Sequence, residues 1–94
     1  MPGALVTGAG GGIGLATARR LAGRGFQVAV TDIEGEAAER AAAWIGDSAW
    51  ASRLDVADAQ ACRVAAAAVI ERAGSLDVWV NNAGILIPGV AYEQ

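Results

Sequence analysis

The stretch Thr7-Gly8-Ala9-Gly10-Gly11-Gly12-Ile13-Gly14 decides the fold of this chain. It follows a short β-prone run over residues 4–7 and precedes a helical pattern over residues 13–24. Glycine tolerates the positive φ that a tight strand-to-helix turn needs, and it lacks the Cβ that would keep a phosphate group away from the backbone. The N-terminus of the following helix offers free N–H groups and a partial positive charge. The sequence therefore predicts a strand, a phosphate-binding glycine loop and a helix.

The spacing of the glycines leaves three motifs open. The familiar G-x-G-x-x-G does not fit, because position 13 is isoleucine. T-G-x-x-x-G-x-G uses Gly8, Gly12 and Gly14, whereas T-G-x-x-G-x-x-G replaces Gly12 by Gly11. G-x-G-x-G uses Gly8, Gly10 and Gly12, a spacing that also occurs in sites for methyl donors. Such sites usually have an acidic residue shortly before the first glycine, and this chain has none there.

Strands and helices alternate along the rest of the chain. After the first strand and helix, the pattern predicts strands over 26–31, 49–54 and about 77–81, and helices over 36–45 and 58–73, with Asp58 as the N-cap of the last. A β-α-β-α-β-α-β order predicts a parallel sheet covered by helices on both faces. The fold class is therefore α/β, a Rossmann-like doubly wound sheet that ends after its fourth strand. We expect residues 1–94 to form one partial domain.

Two apolar helix faces are predicted to pack against this sheet. They lie on the first helix at Ile13, Ala16 and Leu21, and on the third helix at Cys62, Ala66, Val69 and Ala73.

Asp32 ends the predicted second strand, 18 residues after Gly14. An acidic residue at this place accepts hydrogen bonds from the ribose of a bound adenosine and repels a 2′-phosphate. Residues 9–11 supply no arginine that could hold such a phosphate, and Ile33 follows Asp32. The sequence therefore favours NAD over NADP. The alternative is an aspartate that only stabilises the turn before the second helix.

The composition excludes several classes of function. The chain has no histidine and no lysine, and Cys62 is its single cysteine. These absences exclude a histidine-based catalytic triad, a lysine-dependent phosphate loop and a His/Cys metal site. A net charge of −3 argues against nucleic acid or an anionic membrane as a partner. No targeting or membrane-spanning segment is visible, so we expect a cytoplasmic protein.

A second motif, Asn81-Asn82-Ala83-Gly84, carries a resemblance to a known family. Together with the glycine loop, it resembles the short-chain dehydrogenase/reductase family, and Leu54-Asp55-Val56 stands where that family has a similar segment. The resemblance covers essentially the whole chain but only the N-terminal part of the family's domain. It favours the motif built on Gly8, Gly12 and Gly14.

The resemblance implies a bound NAD and a role for each matching residue. The glycine loop would hold the pyrophosphate, and the end of the second strand would bind the adenine ribose. The segment after the third strand would contact the adenine, and residues of the N-N-A-G segment would lie towards the nicotinamide ribose. In that order along the cofactor the residues are Gly8, Gly12, Ile13 and Gly14, then Asp32 and Ile33, then Asp55 and Val56, then Asn81, Ala83 and Gly84. Asp55 and Asn81 have alternative roles as turn and strand-end residues.

The family's catalytic residues have no counterpart in this chain. The family uses a serine, a Tyr-x-x-x-Lys pair and a further asparagine, in which the tyrosine is the general acid/base. The chain has no lysine, and its single tyrosine, Tyr92, lies two residues before the end of the sequence. We therefore expect the 94 residues alone to be inactive and to form the cofactor half of an oxidoreductase.

The complete enzyme would transfer a hydride between nicotinamide and a small alcohol or carbonyl compound, and would form a homo-oligomer. An apolar, unprotected edge on the fourth strand, at residues 78–80, agrees with this interpretation. Two alternatives stay open: a non-catalytic nucleotide-binding module and, more remotely, part of a methyl-donor-dependent methyltransferase.

Overall fold

The computed structural model describes residues 1–82, in which strands and helices alternate as the pattern predicts. The predicted irregular tail lies almost wholly outside these residues. The elements, in chain order, are β1 (Gly3–Val6), α1 (Gly12–Gly23), β2 (Gln27–Asp32), α2 (Gly35–Ile45), β3 (Ala49–Arg53), α3 (Ala59–Ala73) and β4 (Val78–Val80).

The strands form one parallel sheet in the order β3-β2-β1-β4. Leu5 of β1 lies between Ala29 of β2 and Trp79 of β4 in the register. The chain adds β2 and β3 on one side of β1 and then crosses to add β4 on the other side. This reversal confirms the doubly wound α/β fold, and it opens a crevice at the carboxyl ends of β1 and β4.

Each face of the sheet carries its own core. Val6, Val28 and Val30 are fully buried on the face covered by α1 and α2, where buried alanines let the helices approach closely. Leu5 and Val69 are fully buried on the face covered by α3. Because both faces of β1 and β2 are covered, the central residues of these strands, 4–6 and 28–30, are all apolar, as expected for a parallel sheet.

The packing face of α1 differs from the prediction. Ile13 is 76% exposed and Ala16 is also exposed, whereas Gly14 and Ala18 are buried. Of the predicted face, only Leu21 packs against the core. The first turn of α1 lies so close to the backbone of Gly8 and to Asn82 that position 14 has no room for a side chain. A pattern based on apolar side chains cannot detect such a glycine face.

The third helix packs almost as predicted. Val69 and Ala73 are buried, and Ala65 is the third buried residue where the stripe predicted Ala66, which is half-buried like Cys62. Its ends also agree with the sequence, because the Asp58 carboxylate accepts a hydrogen bond from the Ala61 N–H at 3.0 Å.

Asp77, directly before β4, is hydrogen-bonded to the start of β1. Its carboxylate accepts hydrogen bonds from the Ser75 hydroxyl at 2.6 Å and from the Gly3 N–H at 3.0 Å. Its own N–H donates to the Gly3 carbonyl oxygen at 2.8 Å. The Ser75 hydroxyl, followed by the Gly3 N–H, holds the pKa of the Asp77 carboxyl below its ordinary value.

This lowered pKa predicts a contribution to stability that depends on pH. A carboxyl whose folded-state pKa is lowered stabilises the fold above its unfolded-state pKa, and the contribution is lost as the pH falls through the folded-state value. We expect Asp77→Asn to lose this dependence, so that its stability falls less than that of the parent chain below about pH 4. Urea unfolding across the acidic range measures it, with the exposed Asp47→Asn as control. Parallel curves for the parent chain and Asp77→Asn would contradict the prediction.

Candidate functional site

A cleft of about 320 Å³ opens at the carboxyl ends of the strands. Five residues predicted from the sequence meet there, together with two that were not predicted. The predicted ones are Gly8, Asp32, Ile33, Asp55 and Val56, and the additional ones are Leu54 and Asn82.

The glycine loop between β1 and α1 uses its glycines for different reasons. Gly8 and Gly12 have φ values of 61° and 59°, a conformation that other residues rarely adopt. Gly14 has no positive φ, but a Cβ there would collide with the carbonyl oxygen of Gly8 and lie 2.8 Å from Nδ2 of Asn82. Gly11 has an extended backbone and open space around it. The geometry therefore favours the motif built on Gly8, Gly12 and Gly14.

The N-terminus of α1 carries no capping side chain. Gly11 is the N-cap residue, and the first turn contains no acidic residue. The positive end of the helix dipole is therefore not compensated by the helix's own side chains, which suits an anionic group placed beside the loop. Ile13 can contribute its backbone N–H there, but its exposed side chain is not part of the cleft wall.

Asp32 is held at the rim of the cleft by two backbone groups. Its Oδ2 accepts a hydrogen bond from the Gly10 N–H at 2.9 Å, and its Oδ1 accepts one from the Glu34 N–H at 3.0 Å. The second bond spans two residues and stabilises the turn into α2, as the turn interpretation predicts. Each carboxylate oxygen keeps a further lone pair that can accept a hydrogen bond from a ligand hydroxyl.

The ends of β1 and β4 are joined through Thr7, which is 1% exposed. Its hydroxyl donates to Oδ1 of Asn81 at 3.0 Å and accepts from the Asn82 N–H at 2.8 Å. Asn81 therefore contacts Thr7, and it is Asn82 that lines the cleft. The predicted residues Ala83 and Gly84 lie outside the described residues.

Sequence reasoning missed Asn82 and Leu54 for a physical reason. Adjacent residues at a strand end point in opposite directions, so the Asn-Asn pair indicates a polar strand end without indicating which side chain faces the cleft. Leu54 resembles any other apolar residue after a strand. In the fold it is 3% exposed, and its N–H donates to the Asp32 carbonyl oxygen at 2.9 Å.

The segment after β3 forms one wall of the cleft. Asp55 accepts a hydrogen bond from the Ala57 N–H at 3.0 Å, so it stabilises the turn into α3 while it borders the cleft. The Cys62 thiol donates to the carbonyl oxygen of Val56 at 3.7 Å. Burial, with the nearby Asp58 and Asp55 carboxylates, raises the pKa of this thiol, which makes it a poor nucleophile at neutral pH.

The described part of the chain shows neither a cluster of metal ligands nor a membrane-spanning helix. Across residues 1–82, no three or more histidine, cysteine, aspartate or glutamate side chains lie close enough to hold a metal ion. Nor does that part contain a helix that is long and apolar enough to cross a membrane.

The chain is similar to known enzymes along its whole length. The family model described as short chain dehydrogenase matches residues 3–94. The 3-beta-hydroxysteroid dehydrogenase of Comamonas testosteroni is 44% identical over 86 residues, which are 92% of this chain and 34% of that enzyme. The chain thus spans about a third of the length of the curated relatives it matches.

Solved structures agree with this match. A 3-ketoacyl-(acyl-carrier-protein) reductase from Brucella melitensis, complexed with NADH, superposes with a TM-score of 0.82 at 40% identity, over 89% of this chain and 34% of that protein. An actinorhodin polyketide ketoreductase with NADPH gives the same TM-score and identity, over 89% of this chain and 33% of that protein. With its parallel four-stranded sheet, its glycine loop and a family match over residues 3–94, the chain belongs to the short-chain dehydrogenase family.

Proposed function

We propose that this chain supplies the NAD-binding part of an oxidoreductase that transfers a hydride between nicotinamide and a small alcohol or carbonyl compound. Membership of a family of dehydrogenases and reductases supports the reaction class. The preference for NAD rests on one observation, the Asp32 carboxylate fixed by two backbone N–H groups at the rim of the cleft.

The cleft suits the adenosine end of a dinucleotide. Its volume of about 320 Å³ and its mixture of apolar walls and carboxylates are typical of a site for a small organic ligand. In this proposal Asp32 accepts hydrogen bonds from the ribose hydroxyls, with Ile33 beside it. Val56 packs against the adenine ring, and Asp55 faces the amino group of the adenine.

The remaining parts of the cofactor follow the loop towards β4. The N–H groups of the glycine loop and of the first turn of α1 would bind the pyrophosphate, with Gly8, Gly12, Ile13 and Gly14 as the contributing residues. Asn81, Ala83 and Gly84 would lie towards the nicotinamide ribose, and to these we add Asn82 because it borders the cleft. The nicotinamide supplies the hydride chemistry when bound, whereas these residues bind and orient it.

The electrostatics favour NAD over NADP. A 2′-phosphate carries a charge of about −1.5 to −2 at neutral pH and would lie against the Asp32 carboxylate. Arg53 is the basic residue to consider, because it lies opposite Asp32 in the β2–β3 register. The aliphatic part of its side chain lies beside Gly35, at the start of α2. The NADP⁺ affinity of Arg53→Gln tests whether the guanidinium of Arg53 offsets the repulsion between Asp32 and the 2′-phosphate.

Calorimetric titration of the purified protein with NAD⁺ and NADP⁺ tests the proposal. We expect NAD⁺ to bind at least about tenfold more tightly. Asp32→Asn should weaken NAD⁺ binding by about tenfold and remove most of the preference, because it removes the charge while keeping the shape. Asp47→Asn, an exposed substitution after α2, is the matched control and should change neither affinity. Equal affinities for the two dinucleotides in the parent chain would disprove the NAD assignment.

Two further measurements separate this proposal from its alternatives. Titration with S-adenosylmethionine should give no binding, and tighter binding than NAD⁺ would favour the methyl-donor alternative. Turnover of simple secondary alcohols with NAD⁺ should be assayed with the protein purified from its native host, where we expect it to occur. The intact mass of that same protein is measured in parallel. An intact mass of 9.4 kDa with NAD⁺ bound and no turnover would favour the non-catalytic module.

The proposal extends to the location, the oligomeric state and the substrate class of the complete enzyme. We propose a cytoplasmic protein, and the single cysteine among these 94 residues fits a reducing compartment. We also propose that the complete enzyme is a homo-oligomer and that its substrates are small molecules.

A further inference from the structure

Gly10 touches the residue on which the proposed cofactor preference depends, although the sequence did not mark it as a site residue. Its N–H donates to Oδ2 of Asp32 at 2.9 Å. Its φ is not positive, so the backbone conformation at this position does not require glycine. The requirement for a small residue must come from its surroundings.

The space beside Gly10 is filled by two neighbours. A Cβ at this position would lie 2.8 Å from Oδ2 and 3.2 Å from Cγ of Asp32. It would also lie 2.6 Å from the Cβ of Ala37, which is buried on α2. Carbon atoms in contact are normally 3.5–4.0 Å apart, so any side chain at position 10 must displace the Asp32 carboxylate, the start of α2 or the loop itself.

We propose that Gly10 is a specificity-determining positioning residue for the dinucleotide. Its N–H orients the Asp32 carboxylate, and its missing side chain leaves room for that carboxylate at the rim of the cleft. This inference rests on the proposed function, in which Asp32 accepts hydrogen bonds from the ribose. It adds that discrimination between NAD and NADP depends on the loop glycine as well as on the carboxylate.

The position of the carboxylate matters because of what each dinucleotide requires. A ribose diol needs both carboxylate oxygens at hydrogen-bond distance, and such bonds weaken steeply when distance or angle is poor. The same fixed carboxylate repels a 2′-phosphate. Displacing Asp32 therefore weakens NAD binding and also relieves the repulsion of NADP. Both effects lower the ratio of NAD affinity to NADP affinity.

Gly10→Ala is paired with Gly23→Ala, a glycine-to-alanine control outside the glycine loop. A Cβ at Gly23, in the last turn of α1, meets no atom within 4 Å. In calorimetric titrations we expect Gly10→Ala to weaken NAD⁺ binding by about tenfold, to change NADP⁺ binding by less than about threefold, and so to reduce the preference. Gly23→Ala should stay within about twofold of the parent chain for both dinucleotides. An unchanged preference in Gly10→Ala would overturn the inference.

A double-mutant cycle with Asp32→Asn separates positioning from a general structural effect. If Gly10 acts through Asp32, adding Gly10→Ala to Asp32→Asn should cause little further loss of NAD⁺ affinity. An equal loss in both backgrounds would mean that Gly10 serves only the packing of the loop, and the inference would be wrong.

Two further results keep the test decisive. If Gly10→Ala does not fold, the pair Gly10→Ala/Ala37→Gly removes the contact with the Ala37 methyl group and leaves the contact with Asp32. That pair should fold and should still show the reduced preference. If the parent chain itself has no preference for NAD⁺, the proposed function fails and the inference fails with it. If the parent chain prefers NAD⁺ and the variants that carry Gly10→Ala show the same preference, only the inference fails.

Discussion

Replacing Gly14 by alanine is expected to lower the free energy of unfolding by about 3 kcal/mol and to abolish measurable NAD⁺ binding. Gly14 lies in the first turn of α1 and is buried. The added Cβ would collide with the backbone carbonyl oxygen of Gly8 and lie 2.8 Å from Nδ2 of Asn82. A backbone oxygen cannot rotate away as a side chain does, so the helix and the loop must move apart.

Such a movement would disturb the proposed cofactor site as well as the fold. Gly8 and Asn82 both border the cleft, and the N-terminus of α1 is the proposed pyrophosphate-binding group. A helix N-terminus binds an anion through N–H groups aimed at one place, so a shift of the helix relative to the loop removes this arrangement. The loss of affinity should therefore exceed the loss caused by Asp32→Asn, which affects the ribose contacts alone.

Gly23→Ala is the matched control for Gly14→Ala. It lies in the last turn of the same helix, and a Cβ there meets no atom within 4 Å. Alanine in a helix is more favourable than glycine by about 0.5–1 kcal/mol, so this variant should be as stable as the parent chain or more stable. Chemical unfolding followed by circular dichroism measures both variants. If the stability of Gly14→Ala lies within about 1 kcal/mol of the parent chain, the close approach of α1 to the loop is not rigid.

The fold could be predicted from the sequence because its signals are local. Alternating apolar runs, the Asp58 cap and the glycine loop each act within a few residues, and they place every strand and helix in the right order. The position of Asp32 followed in the same way, because an aspartate that ends the second strand of a parallel sheet must reach the carboxyl edge. Five of the predicted site residues consequently meet in one cleft.

What could not be predicted depends on contacts between distant parts of the chain. Ile13 was expected to face the sheet, yet the buried position belongs to Gly14, because the close approach of α1 leaves no room for a side chain. The need for glycine at position 10 arises from Asp32 and Ala37, more than 20 residues away. Nothing in the local sequence distinguishes Gly10 from Gly11, although only Gly10 is surrounded by other atoms.

Gly3 is a second glycine whose role becomes visible only in the fold, and Gly3→Ala is expected to lower the free energy of unfolding by about 3 kcal/mol. Gly3 begins β1 and is buried beneath the end of α3. An added Cβ would collide with the carbonyl oxygen of Ser75 and lie 2.6 Å from Cγ1 of Val69 and 2.9 Å from the Cβ of Ala73. Val69 is a fully buried core residue, so the core cannot yield without losing contacts.

The hydrogen bonds around Gly3 make the collision harder to relieve. Its N–H donates to the Asp77 carboxylate and its carbonyl oxygen accepts from the Asp77 N–H, so the start of β1 cannot move away from the segment before β4 without breaking both bonds. The N-terminal ammonium of Met1 adds a third bond, to the carbonyl oxygen of Ala73 at 3.1 Å. Relief by backbone movement would therefore cost hydrogen bonds in addition to packing.

Gly35→Ala serves as control for Gly3→Ala, since its nearest contact would be an ordinary one of 3.4 Å with the Cβ of Arg53. Urea unfolding should show a large loss for Gly3→Ala and a change of less than about 1 kcal/mol for Gly35→Ala. Gly3 lies at the amino end of β1, opposite the cleft, so folded Gly3→Ala should keep the parent chain's ratio of NAD⁺ to NADP⁺ affinity. A changed ratio would show that the two ends of the sheet are coupled. An unchanged stability would show that α3 can move away from β1 at little cost.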